Sequence, residues 1–385
     1  VTEICFESFY NCDRLESVTL PSSMTSILNA AFMDCDKLDN VVIPNSVYLI
    51  EDLAFYSCDN LKDITFSNNI NYFGNQVMED TPWLETQPDG PVYCGPALYT
   101  VKGGTEEVTV KDGTKCIANY AFTSTEHGEY SGSSVTGNNT LKSVTIPDSV
   151  ENIGLMAFAG CSALTEVKLP KSAKMVGFAM FSGCTSLKDI VLTDKDPRIP
   201  PSEYRGCDSL TDVVIPENIT FIDSYAFAEC ASLRSVTIRN PDCVIDSNPA
   251  NICNSIVYPD DEEEENIITF TGTIYGYEGS PAEAYAKANG YKFSPIAEAP
   301  RMTGDINNDG RINAVDASAV LSYYAMVSTS QDGGFTEAQK QAAEVNNDST
   351  INAVDASGIL AYYAYTSTAS GEVISIEDFI SQMRS

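Results

Sequence analysis

Short apolar alternations separated by polar turns recur along the first two-thirds of the chain. Val18-Thr19-Leu20, Val41-Val42-Ile43, Val144-Thr145-Ile146 and Val213-Val214-Ile215 each set two apolar positions around one position of the other face. A period of two predicts short strands with one buried side. Prolines follow at Pro21, Pro44, Pro147, Pro170 and Pro216; lacking an N–H, each ends the pairing. Cys12, Cys35 and Cys58 lie 23 residues apart, as do Cys161, Cys184, Cys207 and Cys230. Three residues after each comes a leucine: Leu15, Leu38, Leu61, Leu164, Leu187, Leu210 and Leu233. Ala-Phe precedes the cysteine at Ala31-Phe32, Ala54-Phe55, Ala157-Phe158 and Ala226-Phe227. One such coil cannot bury its own apolar residues, so the pattern predicts a solenoid with one shared core.

This pattern resembles the BspA-like leucine-rich repeats of bacterial surface proteins over roughly residues 4–293. The resemblance implies a cap of strand, helix and strand, matched by Thr273–Ser280 and Ala282–Phe293. Trp83 and Leu84 close a degenerate coil, and Glu85–Asn139 interrupts the rhythm. Within it, Tyr93–Val101 and Val108–Val110 around Gly103-Gly104 read as a β-hairpin, so an insertion is placed at about 85–140. Thr123–Thr140 reads as an exposed loop and Asp260–Glu265 as a solvated run of carboxylates. The seven repeat-position cysteines are expected to be reduced and interior, as small apolar residues. Cys94 with Cys116, or Cys243 with Cys253, could be bridged or free.

The net charge of −32 argues against nucleic acid or an anionic membrane as partner. A single histidine, His127, leaves no material for a histidine triad or a histidine zinc site. No stretch of 18 apolar residues is present to span a membrane. The chain opens at Val1 inside a repeat, so we expect a fragment lacking its natural N-terminus, and the missing signal peptide is uninformative about secretion.

The chain divides into repeats at 1–294, a proline-marked linker at 295–302 and a tail at 303–385. In the tail, Ile312–Ser318 and Ile351–Ser357 repeat the same seven residues, 39 positions apart. Before the first copy stand the elements of a twelve-residue EF-hand-type loop. Asp305, Asn307 and Asp309 take positions 1, 3 and 5, Gly310 the turn, Arg311 the backbone carbonyl at 7, Asn313 position 9 and Asp316 position 12. The second loop offers Glu344, Asn346, Asp348, Thr350, Asn352 and Asp355, with Ser349 where glycine is expected. Two calcium ions are therefore expected, the second held more weakly. Helices should follow over Val315–Met326 and Val354–Tyr365, with a capping box at Thr336 and Gln339 opening another between them.

Duplicated loop-helix units with aspartate at position 12 and no entering helix resemble the dockerin family, over about residues 303–382. The resemblance implies docking to a cohesin module of a scaffoldin protein, in a secreted cellulosome or at the cell surface. It places recognition at Ala314, Val315, Leu321 and Ser322, and at Ala353, Val354, Leu360 and Ala361. These are largely apolar, so the expected cohesin face is apolar too. The expected fold class is α+β: a solenoid of short parallel strands with a 23-residue period, then a small helical dockerin.

A non-catalytic component follows, since a solenoid offers an open surface where glycoside hydrolysis needs two carboxylates around a cleft. The alternatives are a carbohydrate-active enzyme with its catalytic domain outside this chain, or a polysaccharide-binding module. Polysaccharide binding calls for a row of exposed aromatics. The outward columns, Ser17, Asn40, Asp63, Ser143, Glu166, Asp189, Asp212 and Ser235 beside Thr19, Val42, Thr65, Thr145, Lys168, Val191, Val214 and Thr237, contain none. A protein ligand for the repeats is expected instead.

Overall fold

The computed structural model describes all residues except 124–136, 171–172, 176, 193–195, 260–264, 297–301, 308–310, 369–372 and 385. Two compact units are present, Val1–Ile296 and Ala297–Ser385.

In the first unit each coil contributes to two parallel ladders. One ladder joins Glu3–Ile4, Ser26–Ile27, Leu49–Ile50 and Tyr72–Phe73. The other pairs Asn40 with Asp63 and, further on, Asp212 with Ser235 and Ser235 with Thr273. The alternation works as the pattern predicts: Val41 is buried while Asn40 and Val42 face solvent. Inside, the phenylalanines stack into columns. Phe9, Phe32 and Phe55 form one, with centroids 5.1 and 5.3 Å apart. Phe122, Phe158, Phe181, Tyr204 and Phe227 form a second. Where the columns break, at the degenerate coil, Trp83 and Leu84 sit in α1 (Pro82–Glu85) and Tyr99 packs edge-on against Phe73.

All twelve cysteines are free. Six of the seven at the repeat position are fully buried; Cys12, in the first coil and stacked on one side only, is partly exposed. Each buried one donates its S–H to a carbonyl of the preceding coil, as Cys58 does to Phe32 at 3.2 Å and Cys207 to Phe181 at 3.1 Å. Burial pushes the Cys58 thiol up to about 12. Cys94 and Cys116 lie opposite Ala97 on either side of its strand. Two strand spacings, about 9–10 Å, separate them, too far for a disulfide.

The expected hairpin is corrected. Gly90–Cys94 pairs antiparallel with Ala97–Lys102, turning at Gly95 with φ +63°. A Cβ on Gly95 would meet the Ser67 carbonyl oxygen at 2.5 Å. Glu107–Thr109 instead runs parallel to Ser143–Thr145 as an ordinary coil strand. The reason is burial: Val108 and Val110 join the core beside Val144. Of the loop expected over Thr123–Thr140, residues 124–136 lie outside the described residues, as do residues 260–264 of the acidic run.

The closing segment consists of Thr273–Gly276, α2 (Pro281–Ala288) and Lys292–Pro295, the two strands running parallel. Ser280 caps α2, and Pro281 occupies its first turn, where no N–H is needed. The last strand runs through Pro295, and the Ile296 N–H donates to Gly276. Ordered sheet thus extends one residue into the segment read as linker. No helix among the described residues is long and apolar enough to cross a membrane.

Candidate calcium loops and docking face

The second unit is built on α3 (Ala314–Ser328), α4 (Glu337–Ala343), α5 (Ala353–Thr368) and α6 (Ile376–Arg384). Ile306, Val320, Ala343, Val345, Ile359, Tyr362, Ile376 and Ile380 form its core. Thr336 and Gln339 make the capping box of α4. The sequence reading missed α6, although Ile376, Phe379, Ile380 and Met383 have helical spacing. Phe379 stacks on Tyr365 at 5.0 Å, and Tyr362 donates its hydroxyl to the Ile374 carbonyl. Gly358 makes the packing possible: a Cβ there would meet Ile380 Cδ1 at 2.8 Å.

The two loops share one hydrogen-bond plan. Asp316, fully buried, accepts from the Ile306 and Asn307 amides through Oδ1 and from Asn313 through Oδ2. Asp355 accepts from Val345 and Asn352 in the same way. Each carboxylate thus ties the loop's entry to its exit, as a position-12 ligand must. Asn313 and Asn352 accept from the Val315 and Val354 amides, so each position-9 residue also starts the helix that follows. Asp305 and Asn346 are buried at positions 1 and 3 of their loops. Asp309 and Gly310 lie outside the described residues. In the second loop Ser349 takes φ +66°, the left-handed conformation expected of glycine. Burial, with Asp348 and Glu344 nearby, holds the Asp355 carboxyl above the usual carboxylate range. The donors are carboxylate, amide and backbone oxygens held around buried negative charge, a set that fits a hard divalent cation.

The eight residues singled out for docking fall on α3 and α5. Val315, Leu321, Val354 and Leu360 are 60%, 44%, 57% and 43% exposed. Ala314, Ser322 and Ala353 are exposed as well, and Ala361 is half-buried. Tyr324 and Tyr363, again 39 positions apart, add exposed rings to the same helices. Helical spacing alone would group Tyr324 with Val320 and Tyr323 on the inward face; its 42% exposure places it outside that face. Neither helix carries an ionisable acid or base on its surface except tyrosine: Asp316 and Asp355, the only carboxylates, are buried, and no Lys, Arg or Glu occurs. The units differ at one end: Met326 is exposed, whereas Tyr365 is covered by Phe379.

On the repeats, the outward columns gain Glu107 and Thr109. They include one aromatic near their end, since Tyr275 stands between Thr237 and Ser294. It is one half-buried ring, not a row.

A parallel-strand stack with a 23-residue coil and an interior of leucine, phenylalanine and cysteine defines a leucine-rich-repeat solenoid; the tail is a pair of calcium-type loop-helix units. The chain belongs to the proteins with a BspA type leucine rich repeat region, matched in 6 copies over residues 1–87 and 132–256. Residues 303–362 match the dockerin type I domain. None of the curated proteins matches. Among solved structures, a leucine rich cell surface protein from Faecalibacterium prausnitzii is similar at 23% identity over 62% of this chain and 76% of its own, with a TM-score of 0.34. The pneumococcal vaccine antigen PcpA is similar at 18% identity over 78% of this chain and 85% of its own, with a TM-score of 0.38. A leucine rich repeat protein of T. pallidum is similar at 22% identity over 55% of this chain and 96% of its own, with a TM-score of 0.33. Both kinds of domain found are non-catalytic, and a dockerin type I domain implies a cohesin partner.

Proposed function

We propose that the protein is a non-catalytic, extracellular component of a cellulosome-like assembly. Its dockerin plugs into a scaffoldin cohesin, and its leucine-rich repeats bind a protein. Calcium orders the docking unit. Asp305, Asn307, Asp309, Asn313, Asp316 and the Arg311 carbonyl hold one ion. Glu344, Asn346, Asp348, Asn352, Asp355 and the Thr350 carbonyl hold a second, less tightly. The observation carrying this reading is the surface of α3 and α5. In a chain of net charge −32, both helices present Val, Leu and Tyr with no carboxylate or cation among them. A helix apolar on its exposed side is normally covered, and a cohesin of apolar face covers it here. The duplicated set gives that cohesin two nearly equivalent seats.

The test is titration of the full chain with a panel of purified cohesin modules, with calcium and with chelator. Calcium-dependent binding to at least one cohesin is expected. Changing Val315, Leu321, Val354 and Leu360 together to aspartate should abolish it. No binding to any cohesin, or binding untouched by the fourfold change, overturns the reading.

A further inference from the structure

Along the coils, Ala31, Ala54, Ala121, Ala157 and Ala226 fill one interior position beside the aromatic columns. In the coil that follows Cys184, this position is Glu203. Its side chain is fully buried. Oε2 accepts from the Met180 N–H at 3.0 Å, and Oε1 has no hydrogen-bond partner among the described residues. Among the described residues, the titratable groups acting on it from its own coil and the coils packed against it are Asp196, Tyr204, Cys184 and Cys207, none of which brings positive charge. The nearby guanidinium groups are engaged elsewhere: Arg205 pairs with Glu229, and Arg198 with Asp223. A carboxylate in such a place loses its hydration without a compensating partner, so the group stays protonated.

We propose that Glu203 is carried into the core as the neutral acid, and that its ionisation opens the surrounding coil, giving the solenoid one local breathing point driven by rising pH. Burial pushes the Glu203 carboxyl up to about 8 from an ordinary 4.5. Because the folded value is raised, the coil's stability is fully present below the ordinary value. It is lost progressively as pH climbs to the folded one, since only the opened coil ionises over that window. Above it the loss is complete and constant.

Two buried thiols, Cys184 and Cys207, report on this coil, and Cys58 reports on a distant one. The experiment labels the native full chain with 4,4′-dithiodipyridine between pH 5 and 7 and locates the label by mass spectrometry. The rate at Cys184 and Cys207 is divided by the rate at Cys58 in the same molecules, so that thiolate chemistry cancels. The wild-type ratio should rise about tenfold per pH unit, the signature of one proton released on opening. In Glu203→Gln and in Glu203→Ala, which restores the residue of the column, it should stay flat. Protected Cys58 shows that a variant has folded, and one folded variant suffices. A flat wild-type ratio, or the wild-type slope surviving in a folded variant, overturns the proposal.

Discussion

Cys184 donates its S–H to the carbonyl oxygen of Phe158 at 3.2 Å, tying each residue to the coil next to its own. The same bond recurs from Cys35 to Phe9, from Cys207 to Phe181 and from Cys230 to Tyr204. The cysteines are thus more than filler: each S–H adds a hydrogen bond to a buried carbonyl, and at Phe158 and Phe181 it is a second one, beside the backbone N–H of Cys161 and of Cys184. Cys184→Ala removes the donor and leaves a small void, and should destabilise the repeats by about 1–3 kcal/mol. Cys184→Ser keeps a donor for the same carbonyl and should cost less. Urea midpoints of the two variants, compared with wild type, decide; equal losses would mean that the hydrogen bond contributes nothing.

Thiol labelling of the native protein should follow burial. Cys5 is exposed and should react first, with Cys12 second and the buried ten far behind. Rapid modification of Cys35 or Cys161 without denaturant would contradict the interior column.

Calcium should fold the tail and leave the repeats alone. Each loop gathers carboxylates around a buried aspartate, Asp316 in the first and Asp355 in the second, and a cation that neutralises them turns binding energy into folding energy. Chelator should remove the thermal transition of the 297–385 unit and leave that of the repeats in place. Asp305→Ala should weaken calcium more than Glu344→Ala; a chelator-insensitive melt sinks the idea.

Ser349 holds φ +66° at a cost of about 1 kcal/mol. Ser349→Gly should relieve it and tighten calcium in the second loop about fivefold, read by titration calorimetry. An unchanged or weaker second site would show that the left-handed serine carries no strain.

Docking through α3 and α5 should be insensitive to salt. With no charged side chain on either exposed surface, cohesin affinity should change less than about twofold between 50 and 500 mM NaCl, because screening has little to act on. A tenfold fall would place charged contacts elsewhere in the interface.

Much of this architecture was legible because a solenoid writes its period into the chain. The strand alternation and the cysteine ladder follow from 23-residue self-similarity, and the cap from the resemblance to BspA-like repeats. Two features hid from it. Val108–Val110 was read as half of a hairpin because its neighbours in the stack lie across an insertion, and alternation alone does not name a partner. Ala121-Phe122 was passed over for the same reason, although it repeats Ala157-Phe158. In the tail the loop spacing is legible, since the oxygen-bearing residues recur at fixed positions before each copy of the same seven residues. Helix α6 was missed although Ile376, Phe379, Ile380 and Met383 carry its spacing; its fit against Tyr362 and Gly358 is a tertiary match that spacing does not show.

The interruption near Phe122 also has a simple arithmetic. Cys161 reaches back 39 positions to its carbonyl, where Cys184 reaches back 26, a difference of 13. Residues 124–136 number 13, and the residues flanking them, Thr123 and Gly137, face each other across an antiparallel bridge. The two described residues that bound this stretch meet at that bridge, and the parallel pairing of Glu107–Thr109 with Ser143–Thr145 carries on across it. Sequence exchanged between Thr123 and Gly137 should therefore leave the register of the scaffold on either side unchanged.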